Sequence, residues 1–228
     1  MTVCLVGKTA GMAIETVLFD LDGTLLDSAP GIRRCANESL RHHGLPPLTD
    51  EHFSTFIGPP LSASFGSLVD DAATIESLIF VYREHYAAGG MHEYTVYEGV
   101  AELLRQLNDA GYRLGVATSK VARFAIPVVE HAGLHNQFEI VVGAESDGDG
   151  ARKSVVMADA LDRFAVTDPK TVMMIGDRNH DAYGAKTTGT EFIGVSWGFG
   201  TKAELEKAGA LRIAAHPSEV ATMMQELA

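Results

Sequence analysis

The sequence predicts an α/β fold, a parallel sheet covered by helices on both faces, with a small all-helical insert after the first strand. Three observations carry this. Short apolar runs rich in strand formers recur along the chain, each ending in polar or glycine residues. Amphipathic helical patterns fall between them. Residues from about 30 to 95 break the alternation, with helical patterns and turn signals but no convincing strand.

Thr16-Val17-Leu18-Phe19 is the first strand and runs straight into Asp20-Leu21-Asp22-Gly23-Thr24. An uninterrupted apolar run that ends in polar residues is the mark of a parallel strand buried on both faces. Helical patterns at 32–42 and 72–87, with turns at Gly44-Leu45-Pro46-Pro47 and Gly58-Pro59-Pro60, make up the insert. Residues 100–110 place Leu103, Leu104 and Leu107 on one helical face, and Gly111 suits the stop. Further strands follow at 113–117, leading to Thr118-Ser119, at 138–142, leading to Gly143, and at 172–175, leading to Gly176-Asp177. Residues 192–195 and 211–214 complete the set, and helices at 121–132, 153–164, 181–188 and 201–208 fill the gaps. Sheets of this kind bind ligands beyond the carboxyl ends of their strands, where the polar clusters fall here.

The chain has 228 residues, enough for one core domain carrying a smaller insert. Lys and Arg total 18 against 30 Asp and Glu, a formal net charge of −12. That argues against nucleic acid and against an anionic membrane surface, since both need a basic face. A phosphate-binding enzyme with this balance needs a divalent cation among its carboxylates. The two cysteines, Cys4 and Cys35, form neither a CxxC pair nor a disulfide framework, which fits a reducing cytoplasm. No apolar run approaches the length of a membrane span, and residues 1–13 are too weak in charge and hydrophobic length for a secretory signal.

The chemistry concentrates in two acidic pairs. Asp20 and Asp22 lie two apart at a strand end, so both side chains can point to one side. Asp177 and Asp181, spaced by four, are expected to share a helix face. Four carboxylates converging at one sheet edge repel strongly unless a hard cation binds there, and oxygen-only ligands point to Mg2+ over zinc. Between the pairs come a hydroxyl site, Thr118-Ser119, and a cation, Lys153. Phosphoryl transfer needs positioning and charge neutralisation above all, and this set supplies both.

At these residues the sequence strongly resembles the haloacid dehalogenase superfamily of phosphatases: Asp20-Leu21-Asp22-Gly23-Thr24, then Thr118, then Lys153, then Gly176-Asp177 with Asp181. The detail of 20–32 and 176–200 looks most like the phosphoglycolate phosphatase-like and nucleotidase-like branch. The resemblance implies a Rossmann-like core of residues 1–29 and 96–228, with 1–13 an extension, and a first-type helical cap at 30–95. It also implies a Mg2+-dependent phosphatase of a small phosphorylated metabolite. Asp20 would be the nucleophile and, through its other oxygen, a metal ligand. Asp22 would act as general acid and then base, with its carbonyl on the metal. Thr118 would hydrogen-bond the phosphoryl group, Lys153 would neutralise it, Asp177 would complete the protein ligands, and Asp181 would stand behind them.

Other assignments stay open at this point. Lys120 rivals Lys153 as the phosphate-facing cation, and Ser119 could donate to phosphate or cap the following helix. Arg178, Asn179 and His180 read as exposed loop residues. Substrate choice should depend on the cap, with Arg33, Arg34, His42, Phe53, Phe56 and the Gly58 turn as candidates, the aromatics also serving as cap core. A dehalogenase would lack Asp22. A Schiff-base phosphonoacetaldehyde hydrolase would need a cap lysine, and residues 30–119 contain none. A phosphomutase of the beta-phosphoglucomutase type is the alternative, and a catalytically silent phosphate-binding or regulatory protein is the alternative from another class.

Overall fold

The computed structural model describes residues 14–146 and 148–227. Cys4 and the predicted extension at 1–13 lie outside the described residues.

The chain opens with β1 (Thr16–Phe19) and the two-residue strand β2 (Leu26–Asp27). Four helices follow: α1 (Ala29–His42), α2 (Asp50–Phe56), α3 (Leu61–Gly66) and α4 (Ala72–Ala87). Then β3 (Thr95–Val96) leads through α5 (Val100–Asp109), β4 (Arg113–Val121) and α6 (Ala122–His131) to β5 (Ile140–Ala144). The remainder alternates as α7 (Lys153–Arg163), β6 (Val172–Gly176), α8 (Asn179–Thr188), β7 (Glu191–Val195), α9 (Lys202–Ala208), β8 (Arg212–Ala214) and α10 (Pro217–Leu227).

The predicted α/β fold is the one observed. Six strands form a sheet in the order β5-β4-β1-β6-β7-β8, with every pairing parallel. Successive side chains alternate between its faces. Val17, Phe19, Met173 and Ile175 pack with residues of α5, α6 and α10, whereas Leu18, Val172 and Met174 pack with residues of α7, α8 and α9. Both faces are thereby buried, which explains why β1 and β6 read as continuous apolar runs.

Helices α1 to α4 pack around their own core of Ile32, Cys35, Leu40, Phe53, Phe65 and Leu78 among others, with Phe124 and Phe199 of the main body against it. The sequence reading missed α2 and α3, each seven residues or fewer and too short to show a helical period. It also missed α10 and the antiparallel β2–β3 pair. That pair joins the two chain crossings between insert and sheet. Beside it, Gly31 N donates to Glu93 O at 3.1 Å, and a Cβ on Gly31 would overlap Gly90 O. Among the described residues, no helix is long and apolar enough to cross a membrane.

Candidate active site

Strand order builds the site. Because β1 lies between β4 and β6, the residues leaving its carboxyl end stand beside those leaving both neighbours. Asp20 N donates to Ile175 O at 2.9 Å, which fixes Asp20 next to the end of β6. Asp20, Asp177 and Asp181 are all buried, and ligand oxygens of the three lie within 4.8 Å of one another.

Lys153, the first residue of α7, reaches under this group. Its ammonium stands 2.6 Å from Asp20 Oδ1 and 2.8 Å from Asp181 Oδ1, and donates to Ala117 O at 3.0 Å. Both carboxylate contacts are close, charge-assisted ion pairs, and they favour the charged form of Lys153. Asp181 Oδ2 accepts from Arg178 N at 3.0 Å, while Asp177 accepts from Thr24 Oγ1 at 3.3 Å and from Phe199 N at 2.7 Å. The expected shared helix face is corrected here. Helix α8 begins at Asn179, so Asp177 belongs to the loop and Asp181 alone to the first turn. The two meet because that loop folds tightly, with Gly176 leaving room where a Cβ would strike Asp181.

Asp22 pairs instead with Lys120, Nζ to Oδ2 at 2.8 Å. Lys120 also donates to the Tyr86 hydroxyl at 2.8 Å, from α4 of the insert. Thus Lys120 and Lys153 are not rivals for one place but serve one carboxylate flank each. Asp20, Asp22, Thr118 and Ser119 line a cavity closed on the other side by Ile57, Gly58 and Tyr86. Thr118 Oγ1 accepts from Lys120 N at 3.2 Å. Ser119 does not cap α6, which starts at Ala122 behind Val121.

Three cap candidates fall away from this cavity. Arg33 pairs with Asp50 at 2.6 Å and lies over the Phe53 ring, because α1 turns it toward α2. Arg34 pairs with Glu93, and His42 is exposed at the far end of α1. Arg178 corrects another reading, for it is buried and not an exposed loop residue. Phe53 and Phe56 belong to the insert core, and Phe56 also reaches the cavity wall.

Among the described residues, four carboxylates thus pack around two ammonium groups, a formal excess of two negative charges when all are ionised. Burial is the main cause that pushes Asp20 up to about 6, opposed by Lys153 and reinforced by Asp181. Burial likewise raises Asp177 well above the usual carboxylate range, with Asp181 and Asp20 adding to it. A divalent cation would cancel this excess, and among the described residues Asp22 Oδ1 is a buried oxygen with no hydrogen-bond partner. The residues fit such an ion.

The sequence reading quoted Gly23 in the first motif but gave no role to Gly198 and Gly200 beside Asp177. A Cβ on Gly23, Gly198 or Gly200 would overlap Asp177 itself, and Gly23 also holds φ +86°. The signal for the latter two was the Gly198-Phe199-Gly200 run just past the predicted strand at 192–195.

Residues 17–195 match the haloacid dehalogenase-like hydrolase family. The chain belongs to that family. This haloacid dehalogenase-like hydrolase has phosphoglycolate phosphatases and 5'-nucleotidases among its homologues. It is 36% identical over 199 residues to a 5'-nucleotidase of Pseudomonas aeruginosa, spanning 87% of this chain and 90% of the relative. It is 35% identical over 201 residues to tyrosine-protein kinase PtkA of Mycobacterium tuberculosis, spanning 88% of this chain and 68% of the relative. A predicted phosphatase from Clostridium acetobutylicum superposes with a TM-score of 0.89 at 37% identity, covering 94% of this chain and 99% of that one.

Proposed function

We propose that this hydrolase, which acts on phosphoric monoester bonds, is a Mg2+-dependent phosphatase of small phosphorylated metabolites that works through an aspartyl phosphate on Asp20. The observation that carries it is the convergence of buried Asp20, Asp177 and Asp181, with Asp20 reaching a cavity whose wall also holds Asp22 and Thr118. Asp20, the Asp22 carbonyl and Asp177 would hold the ion. When bound, Mg2+ supplies positive charge to the transferring phosphoryl oxygens.

The chain's own residues supply the rest. The Asp20 carboxylate attacks phosphorus as the bond to the leaving oxygen breaks, and Asp22 gives that oxygen its proton. Asp22 then takes a proton from water as the water attacks the aspartyl phosphate, which releases phosphate and restores Asp20. Lys153 neutralises the phosphoryl oxygens and steadies Asp20, and Thr118 donates to the same oxygens. Asp181 supports this group by fixing Lys153 and the start of α8. Lys120 holds the Asp22 carboxylate in place.

Residues 30–95 serve as a cap over a core of 1–29 and 96–228, closing the cavity to bulk water during the first step. The net charge of −12 and the lack of a CxxC pair suit a metabolite enzyme of the cytoplasm with no nucleic-acid partner.

The test is phosphate release from a panel of phosphomonoesters with Mg2+ or chelator. Release is expected to require Mg2+ and to vanish in Asp20→Asn, which keeps its fold. Release that survives chelator or the substitution rejects the mechanism. Phosphoglycolate, nucleoside monophosphates and sugar phosphates in the panel identify the substrate. ATP with a tyrosine-containing peptide tests phosphoryl transfer to an acceptor other than water, as the name of the mycobacterial relative suggests.

A further inference from the structure

We propose that Arg178 is a positioning residue that latches the helical insert onto the sheet from the same loop that carries Asp177. The proposal rests on the insert acting as a cap. Arg178 is buried, and its guanidinium Nη1 crosses to the insert, donating to Ile57 O at 2.5 Å and Ser54 O at 3.2 Å. Nε donates to Glu204 Oε1 at 3.0 Å, and that oxygen also accepts Asn179 N at 2.9 Å. Glu204 therefore aims the arginine and ties it to the start of α8.

The carbonyls it reaches lie at the end of α2, where Ser54 is in the last turn and Ile57 is the cap residue. The final carbonyls of a helix have no partner within it and carry the negative end of its dipole. A charged fork from another part of the chain completes that end. The segment that follows, Gly58-Pro59-Pro60, walls the cavity above Asp20; Pro60 O accepts from Ala63 N and Ser64 N of α3, while neither proline has an N–H to donate toward the sheet. Gly58 holds φ +109°, and a Cβ there would come within 3.3 Å of Arg178 Nη1. The wall of the site is thus held by an arginine one residue from a proposed metal ligand. Arg178 N meanwhile donates to Asp181. A single residue joins the acidic cluster to the seat of the insert.

The experiment compares the unmodified chain with Arg178→Gln, Arg178→Lys and Glu204→Gln. Amide hydrogen exchange is read for residues 54–58 and 61–66 against β1 and β6. Steady-state hydrolysis of p-nitrophenyl phosphate is read across a Mg2+ titration. In Arg178→Gln, exchange at 54–58 and 61–66 is expected to accelerate about tenfold, the scale of hydrogen bonds from a charged donor, with β1 and β6 unchanged. KM should rise by a similar factor, while the Mg2+ midpoint stays put. Lysine, which lacks the planar fork, should restore only part of the protection. Glu204→Gln should move both readouts the same way by a smaller factor. Unchanged exchange at 54–66, uniform acceleration that includes β1 and β6, or a raised Mg2+ midpoint with unchanged exchange would each overturn the latch. An unmodified chain that releases no phosphate refutes the phosphatase reading instead, and the exchange measurement still decides the latch.

Discussion

Lys153 shows how much one residue is asked to do. It is buried, and it faces two carboxylates that are buried with it. Removing one partner of such a group strands the other charges in a low-dielectric site. Lys153→Met is therefore expected to cost about 3–5 kcal/mol in urea unfolding with chelator present, besides abolishing turnover. A cost within experimental error would mean the carboxylates do not rely on the ammonium. Gly200 makes a second residue-scale prediction. A Cβ there collides with the backbone carbonyl of Asp177, in the tight loop just past the buried strand β6. Gly200→Ala should raise the Mg2+ midpoint for activity roughly tenfold, the effect expected when the support of a metal ligand is disturbed. An unchanged midpoint in a Mg2+ titration would show that Asp177 does not hold the ion.

At the scale of elements, the two chain crossings between insert and sheet decide how the insert can move. They touch through the β2–β3 pair and through the Gly31 N to Glu93 O bond. Gly31 is buried, and Gly90 O leaves no room there for a side chain. Gly31→Ala should force the crossings apart and slow turnover several-fold while the Mg2+ midpoint stays the same, a pattern expected where lid motion gates the reaction. Unchanged steady-state kinetics would count against gating. The sequence placed β1, β4 and β6 through their apolar runs. The two-residue strands β2 and β3 carry no periodicity, and only their pairing across some seventy residues of insert reveals them.

For the whole molecule, the acidic cluster links stability to the ion. Four carboxylates and two ammonium groups leave a formal excess of negative charge that a divalent cation would relieve in the folded state alone. Saturation a hundredfold above the dissociation constant should stabilise the chain by about 2.7 kcal/mol. Thermal melts with Mg2+ and with chelator should therefore differ, and the difference should disappear in Asp177→Asn. Equal melts for the unmodified chain would refute a cation site in this cluster.

The sequence by itself determined the α/β class, because strands buried on both faces must be apolar throughout and their loops must carry the polar residues. It also singled out the residues that the strand order gathers at one sheet edge, Asp20, Asp22, Thr118, Lys153, Asp177 and Asp181. Tertiary structure alone decided which charge meets which. Lys120 goes to Asp22 and Tyr86, Lys153 to Asp20 and Asp181, and Arg33 away from the cavity to Asp50. Arg178, an ordinary loop residue in the sequence, is buried between α2 and α9 because its partners lie 121 and 26 positions away. Local pattern records which residues a strand or helix must bury. Ion pairs depend on side chains that reach across the fold, and their direction is set only when distant segments pack together.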